Sequence, residues 1–520
     1  MIAYQRVPGF APVAEAVYRL IARRRQTLSR VERLLRGPNE EPPGHVGVRW
    51  VFLRLLGLVY LSAFLSLWTQ ADGLIGSNGI LPVSQWLADV HDYYRGDAYR
   101  QMPTLCWLDS GDGFLHVILG AGTALSLILV AGVAPAPVLF LLWACWLSLV
   151  SVGQDFLSFQ WDSLLLEAGF LAIFLAPTTA WTRPSREAEP SPTVLFLLHW
   201  LLFRLIFFSG VVKLSSQDPT WADWTAMEYH YWTQPLPTWT AWYMNRLPAW
   251  FHRASVGGML GVELFAPFLI FAPRRLRLMG GGAIAGLMVT ILATGNYGYF
   301  NWLSLGLCLL LLDDSALPRR LRERLAPAAG AEAGRWSRPL LAGVFVMVGA
   351  ATLATAAGQL GMSPDPNGRV AAAAAAVEPF RIANRYGLFA IMTTTRPEIV
   401  VEGSVDGETW RAYEFKYKPG DPKRRPVFVA PHQPRLDWQM WFAALSPWHQ
   451  NRWFVQFCQK LMEGSPAVCG LLEHDPFPDQ PPRYVRATEY DYRFATAADG
   501  RWWTVRRKGP YCPVLSLPEK

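Results

Sequence analysis

The sequence predicts a polytopic α-helical membrane domain of about nine spans, N-terminus cytoplasmic, followed by a small β-rich extracytoplasmic domain. Three observations carry this. Of the 520 residues, 52% are hydrophobic and only 17% charged, with 24 tryptophans, which is more apolar and less charged than a typical soluble domain. The apolar content is concentrated before about residue 360 and falls afterwards. Between the apolar runs, every second loop is rich in arginine.

Residues 1–49 are polar and arginine-rich and lack the apolar core of a signal peptide. Within them "APVAEAVYRLIARRRQTLSRVERLLR" (11–36) predicts a basic amphipathic helix on the cytoplasmic leaflet. Apolar runs follow at about 50–68, 114–132, 135–152, 163–176, 193–212, 254–272, 277–294, 299–312 and 339–360. Several are shorter than the roughly 20 residues of a perpendicular span. With the N-terminus inside, the cytoplasmic loops are 1–49, 133–134, 177–192, 273–276 and 313–338. They carry Arg23, Arg24 and Arg25, Arg183 and Arg186, Arg274 and Arg275, and "RRLRER" at 319–324, whereas the opposite loops carry "DVHDYYRGD" and "DSGDGF". This divides the chain into a cytoplasmic segment (1–49), a membrane domain (50–360), a linker (361–377) and an extracytoplasmic domain (378–520). The net charge of +8 is explained by cytoplasmic arginines, so nucleic acid is not a predicted partner; the lipid bilayer is.

After residue 360 the period changes. "EIVVEGSVDGETWRAYEFKYKPG" (398–420) holds two β-rich runs joined by Asp406-Gly407, a hairpin signal, and 483–511 repeats it around Asp499-Gly500. Between them, 436–464 has aromatics at helical spacing. A β-sandwich-like domain with packed helices is expected, the alanine run at 371–376 continuing the linker or forming a short helix. The six cysteines show no zinc-type spacing. Cys458 and Cys469 flank a helix-like stretch at a spacing compatible with a disulfide.

No nucleophile elbow, kinase signature or P-loop is present, and "QADGLIGSNGILPVSQWL" (70–87) is a glycine-turned loop with no GK[ST] after it. No inverted repeat of broken helices suggests a transporter. The conspicuous polar groups gather towards the non-cytoplasmic side. "FQWDSLLLEAGFLAIFLAP" (159–177) carries Asp162 and Glu167 into a membrane helix, and Arg204 lies inside "LLFRLIFFSG". Buried charges in a membrane demand partners, so Glu167 or Glu263 is expected to pair with Arg204. Asp218, Glu228 and His230 follow among aromatics, and Asn296 lies in a short outer turn. Glu228 and His230 have no third convergent ligand, so no metal is predicted.

Lys213, one of seven lysines against forty-one arginines, is the only one before the last quarter of the chain. It ends an apolar run on the outer side, where the charge rule asks for no cation. One reading is a snorkelling lysine. The other is a buried amine at the mouth of an outward-facing polar cavity, with Asp218 or Glu228 nearby, acting as base or anion anchor with Asp162, Glu228 or His230 in support.

The stretches "SNGILPVSQWL", "WDSLLLEAGFLAIFLAP", "FRLIFFSGVVKLSSQDPTWADWTAMEYHYWTQPLPT", "TGNYGYFNWLSLGLCLLLLDD" and "PFRIANRYGLFAIMTTTRPEIVVEGSVDGETWRAYEFKYKPGD" resemble the lipase maturation factor family, as does "PHQPRLDWQMWFAAL". The resemblance runs from about residue 50 to 510. It implies a membrane-embedded folding or maturation factor for exported proteins, lipase-like by analogy, whose C-terminal region engages the client outside the cytoplasm. Arg435, Asp437, Trp438, Trp441 and Phe442 become client-binding candidates, the three aromatics sharing one helical face that is either core or client surface. The implied location is the endoplasmic reticulum membrane in a eukaryotic cell and the inner membrane in a bacterium, which the heavy use of arginine favours. "SGVVKL" is more distantly similar to the corresponding helix end of vitamin K-dependent γ-carboxylase and related horizontally transferred transmembrane proteins, matching at Gly210, Lys213 and Leu214. That likeness implies a rival function, a carboxylase-like or quinone-linked membrane enzyme with Lys213 as base. At the position of the carboxylase's histidine this chain has Asp162. The residues specify no cofactor.

Overall fold

The computed structural model describes residues 44–328, 330–362 and 368–518. The amphipathic helix expected over 11–36 lies outside the described residues.

All nine apolar runs are helical. They are α1 (Val46–Trp68), α2 (Asp112–Ala131), α3 (Pro135–Val152), α4 (Gln160–Leu175) and α5 (Pro192–Ser215), then, after a short helix α6 (Ala226–Thr233), α7 (Ala249–Leu269), α8 (Arg274–Thr294), α9 (Phe300–Leu309) and α10 (Arg338–Gln359). Local chemistry fixes their ends. The tight α2–α3 turn has Gly132 at φ 85°, a left-handed conformation that glycine adopts freely. Proline occupies the first turn of α3 and α5, where its missing N–H costs nothing. The free N–H groups of Gly47 and Val48 at the start of α1 donate to the Asp314 carboxylate (3.1 and 2.9 Å).

Six of these helices, α1, α2, α3, α5, α8 and α10, are long and apolar enough to cross a membrane. The expected nine is therefore larger than length and composition support. Helix α4 has 16 residues and α9 has 10; α7 is long enough but carries His252, Arg253 and Glu263. Within the bundle α3 is central, with 72% of its apolar window buried, and α8 is peripheral, with 22%. The apolar exposure of α8 is what a lipid-facing helix requires.

The connections gather at two ends. At one end the Ala134 amide donates to Ala180 O, Ala188 to Ala333 O and Asp314 to Gly44 O, while Arg274 holds Asp313 (2.5 Å) and Arg49 holds Glu187 (2.8 Å). These are the arginine-bearing loops. At the other end Ser77 donates to Asp112 (2.6 Å), Gln154 to Leu81 O (3.2 Å) and Asn296 to Leu236 O (3.1 Å). The C-terminal region packs on this second end.

That region holds strands β1 (Pro397–Ser404), β2 (Arg411–Ala412), β3 (Glu414–Phe415), β4 (Leu472–His474), β5 (Tyr484–Phe494) and β6 (Trp503–Ser516), with helices α11 (Arg435–Ala443) and α12 (Arg452–Met462). A four-stranded antiparallel sheet runs β2-β1-β5-β6. Its β1–β2 and β5–β6 hairpins turn at the two Asp-Gly sites, with Glu402 opposite Ala412 and Phe494 opposite Trp503. Among the described residues no second sheet of sandwich size faces it; β3 and β4 form only a two-stranded ladder, and α11 and α12 pack there instead. The edge strand β6, "WTVRRKGPYCPVLS", is mostly exposed and carries charges and two prolines, which blunt edge-to-edge pairing. The alanine run forms a helix over Arg369–Val377. All six cysteines are free thiols, so no Cys458–Cys469 disulfide joins the flanks of α12.

Candidate functional site: the seam between the helices and the C-terminal region

The seam is built from polar groups that a membrane helix could not bury alone. Asp162, in the first turn of α4, is fully buried and receives both guanidinium nitrogens of Arg435 (2.9 and 2.9 Å) and the Tyr299 hydroxyl (2.5 Å). Arg435 is equally buried and also donates to Phe156 O (2.7 Å). Five residues on, one turn deeper into α4, Glu167 pairs with Arg204 of α5, one of the two partners expected for that arginine. Its other oxygen accepts from the Asn384 amide (3.1 Å), the Asn384 side chain (3.1 Å) and the Tyr386 hydroxyl (2.8 Å). Both carboxylates of α4 are thus completed by residues more than 200 positions away.

The "PHQPR" stretch docks on the end of α1. Ser66 Oγ accepts from the Gln433 amide (2.8 Å) and contacts His432 Nδ1 (3.0 Å), and Gln70 bonds both Gln433 O (3.0 Å) and the Arg435 amide (2.9 Å). Burial, with Arg435 and Lys416 beside it, pushes His432 down to about 4. Nearby, a β-carbon on Gly73 would overlap the Ala467 carbonyl, so glycine lets the two backbones touch. On the far side of the seam, Asn296 uses its whole amide. The nitrogen donates to Leu236 O (3.1 Å) and Val427 O (2.8 Å), and the oxygen accepts from Val429 N (2.7 Å) and Ala430 N (3.1 Å). Arg396, which the sequence reading missed, is fully buried; it pairs with Glu398 (2.7 Å) and caps the C-terminus of α6 through Trp232 O (3.0 Å), Gln234 O and Pro235 O (2.8 Å). A cation at a helix C-terminus meets the negative end of the helix dipole.

Helix α11, expected to offer a client surface, is mostly interior. Arg435, Asp437, Trp438 and Trp441 are buried, and only Phe442 is substantially exposed, at 42%. Asp437 accepts the Tyr417 and Lys418 amides (both 2.8 Å), and burial raises its pKa despite those bonds. Trp441 donates its indole N–H to Thr233 O (2.8 Å), and Trp438 packs edge-on against Trp161 and Phe159. The helix is the wedge between the sheet and the bundle, so its aromatic face serves as core.

Lys213 is also interior, and its partner is Glu263 of α7 rather than Asp218 or Glu228. The amine donates to both Glu263 oxygens (2.8 and 2.9 Å) and to Ser209 O (3.1 Å). These three contacts use all the donors a lysine side chain can offer. Asp218 instead caps a short turn through Thr220 N (2.8 Å) and accepts Met392 N (2.6 Å). Glu228 is half-buried and stands outside the cavity that Lys213 lines. That cavity, about 160 Å³, is walled mostly by apolar side chains and not by the acids expected, with His230 and Tyr297 as further polar members. Burial, reinforced by Lys213, pushes His230 down to about 4. Asp162 is not among the lining residues, so it and Lys213 do not share one site. Among the described residues no group of three or more His, Cys, Asp or Glu side chains is placed to hold a metal ion.

Fold and seam together define a multi-pass helical membrane protein with a sheet-bearing region fastened to one end by buried charge. Residues 47–319 match the lipase maturation factor transmembrane domain and residues 382–513 the lipase maturation factor C-terminal domain. Lipase maturation factor 1 of Mus musculus is 36% identical over 94% of this chain and 91% of its own length. Lipase maturation factor 2 of Rattus norvegicus is 37% identical over 90% of this chain and 83% of its own. The chain belongs to the lipase maturation factor family. No solved structure matches it.

Proposed function

We propose that the chain is a membrane-embedded maturation factor for exported proteins, lipase-like ones among its clients, which works by binding rather than by catalysis. The seam carries this reading: the C-terminal region is bonded to α1, α4, α6 and the 296 turn through buried polar contacts. Whatever it binds is thereby held at the membrane surface. A factor that binds a partly folded client more tightly than its aggregated alternatives needs no reactive group. The full engagement of Lys213 by Glu263 and Ser209 supports a structural part for that amine.

The charge of the loops supports an orientation. The arginine-bearing connections share one end, which the positive-inside rule assigns to the cytoplasm, so residues 378–520 face the periplasm or a lumen. In a eukaryotic cell that is the endoplasmic reticulum, and in a bacterium the inner membrane. Client contact is assigned to the groove between the outer half of α1 and the 416–436 loops, where Leu58, Leu65 and Phe428 are exposed.

The test uses the full chain, co-expressed with a secreted lipase in cells lacking a maturation factor of their own. The expected result is a rise in lipase activity per milligram secreted, reduced by Phe428→Asp without loss of the membrane protein. A folded, correctly inserted chain that leaves the specific activity of every lipase tried unchanged would overturn the client assignment.

A further inference from the structure

We infer that the cavity beside Lys213 is a binding site for a compact, lipid-soluble molecule with a ring body and a hydrogen-bonding oxygen, entered from the bilayer. This goes beyond the client-binding reading and does not depend on it.

The size comes first. Protein interiors are packed to the density of organic crystals, and a space of about 160 Å³ has the volume of a one- or two-ring molecule. Its walls come next. Five of the chain's 12 methionines line it (Met227, Met244, Met259, Met288 and Met392) together with six Trp, Tyr and Phe side chains. Thioethers are flexible and polarisable and pack well against ring edges, so such walls adapt to an occupant. Water is a poor filling, because each buried water needs two to four polar partners and most of this surface offers none.

The polar groups lie at the inner wall. Tyr297 donates its hydroxyl to Gln234 Oε1 (2.9 Å), leaving its oxygen as an acceptor that His230 Nε2 meets only at long range (3.4 Å). The Lys213–Glu263 pair adjoins them. A neutral imidazole and a phenol oxygen together present a donor and an acceptor, which one hydroxyl or carbonyl oxygen satisfies. Thr290 both lines the cavity and is exposed on α8, the least buried of the six long apolar helices, which points to entry from the lipid-facing side between α7 and α8.

The roof is not part of the bundle. Leu388, Phe389 and Met392 cover the cavity and belong to the stretch leading into β1. It is tied down by the Trp221 indole on Phe389 O (3.1 Å), by Asp218 on Met392 N (2.6 Å) and by Gln160 on both Gly387 backbone groups (3.0 and 3.2 Å). An occupant therefore touches the segment that carries the C-terminal region, and its binding tightens that attachment.

The experiment uses the full chain in detergent micelles with 2-naphthol as probe. In the wild type, 2-naphthol raises the melting temperature saturably by several degrees and slows amide exchange at Leu388–Met392. Ser209→Leu and Ser255→Phe fill the cavity from α5 and α7; whichever is folded and inserted loses both responses. If neither variant folds, mass spectrometry of wild type photolabelled with a diazirine-bearing 2-naphthol decides: labels on Met259, Met288 or Phe389 support the site, labels elsewhere overturn it. No saturable shift in the wild type, or an equal shift in a folded filled variant, also overturns the proposal.

Discussion

Asp162 of α4 and Arg435 of α11 form a doubly hydrogen-bonded pair (2.9 and 2.9 Å) with neither side chain exposed. The C-terminal region is thus fastened to the bundle by a charge pair that neither part can bury alone. Removing one partner of such a pair costs about 3–5 kcal/mol, because the other is left buried and uncompensated. Arg435→Met should lower the denaturation midpoint in detergent by that order, and Asp162→Asn by a comparable amount. The double variant should be less damaged than the sum of the two; simple additivity would show that the pair is not coupled in the folded protein.

Asn296 gives a gentler test of the same seam. Asn296→Ala deletes four hydrogen bonds and orphans buried backbone groups, at about 1–3 kcal/mol. Amide exchange at Val429 and Ala430 should quicken by roughly 10- to 100-fold while the midpoint of the helical bundle holds. Unchanged exchange at those two amides would mean that the 427–430 segment is held by something else.

Trp441 and Phe442 are adjacent and should behave oppositely. Trp441 is core, and truncating it to alanine should cost about 3–5 kcal/mol and reduce the yield of folded chain. Phe442 is 42% exposed, so Phe442→Ala should fold normally. A Trp441→Ala chain that accumulates and melts like wild type but fails to mature a client would return this helix to the client surface.

Lys213→Arg separates a paired cation from a working amine. Arginine keeps the charge facing Glu263 but practically never gives up its proton. Retained maturation in a complementation assay is the expected outcome. Loss of maturation with unchanged melting and insertion would show that the amine does more than hold its partner.

His432 predicts a pH effect whose sign is fixed. Its folded pKa is pushed down to about 4 from the ordinary 6.5. Between those values the unfolded chain binds a proton that the folded chain refuses, so stability is lost as pH falls from above 6.5 towards 4. Melting temperatures from pH 7.5 to 4.5 should fall more steeply for the wild type than for His432→Asn. Parallel curves would rule out the histidine as a source of the slope.

What could be read from the sequence was local. The Asp406-Gly407 and Asp499-Gly500 turns announce their hairpins because Gly407 and Gly500 adopt the left-handed conformation (φ 82° and 61°) that glycine takes freely. The arginine loops announce their common end because charge asymmetry is a property of the whole series. Glu167 with Arg204 was legible because two opposite charges in neighbouring apolar helices have few other partners. The assignment of Glu263 to Lys213 depends on how α5 and α7 are rotated, which no spacing encodes. Arg435 with Asp162, and Asn384 with Glu167, were illegible for a stronger reason. Their partners lie outside the apolar segments altogether, in a region that the sequence presents as a separate domain. The aromatic face of α11 failed similarly, since its period is the same whether it meets a client or the bundle.

The separation of Asp162 from Arg435, 273 residues along the chain, also sets a timetable for synthesis. At roughly 5–20 residues per second, α4 enters the membrane about 14 to 55 seconds before its counter-charge exists. For that interval Asp162 lacks its guanidinium partner, while Glu167 gains Arg204 as soon as α5 is made. Completion of the chain is then the event that gives Asp162 its counter-charge and joins the C-terminal region to α4.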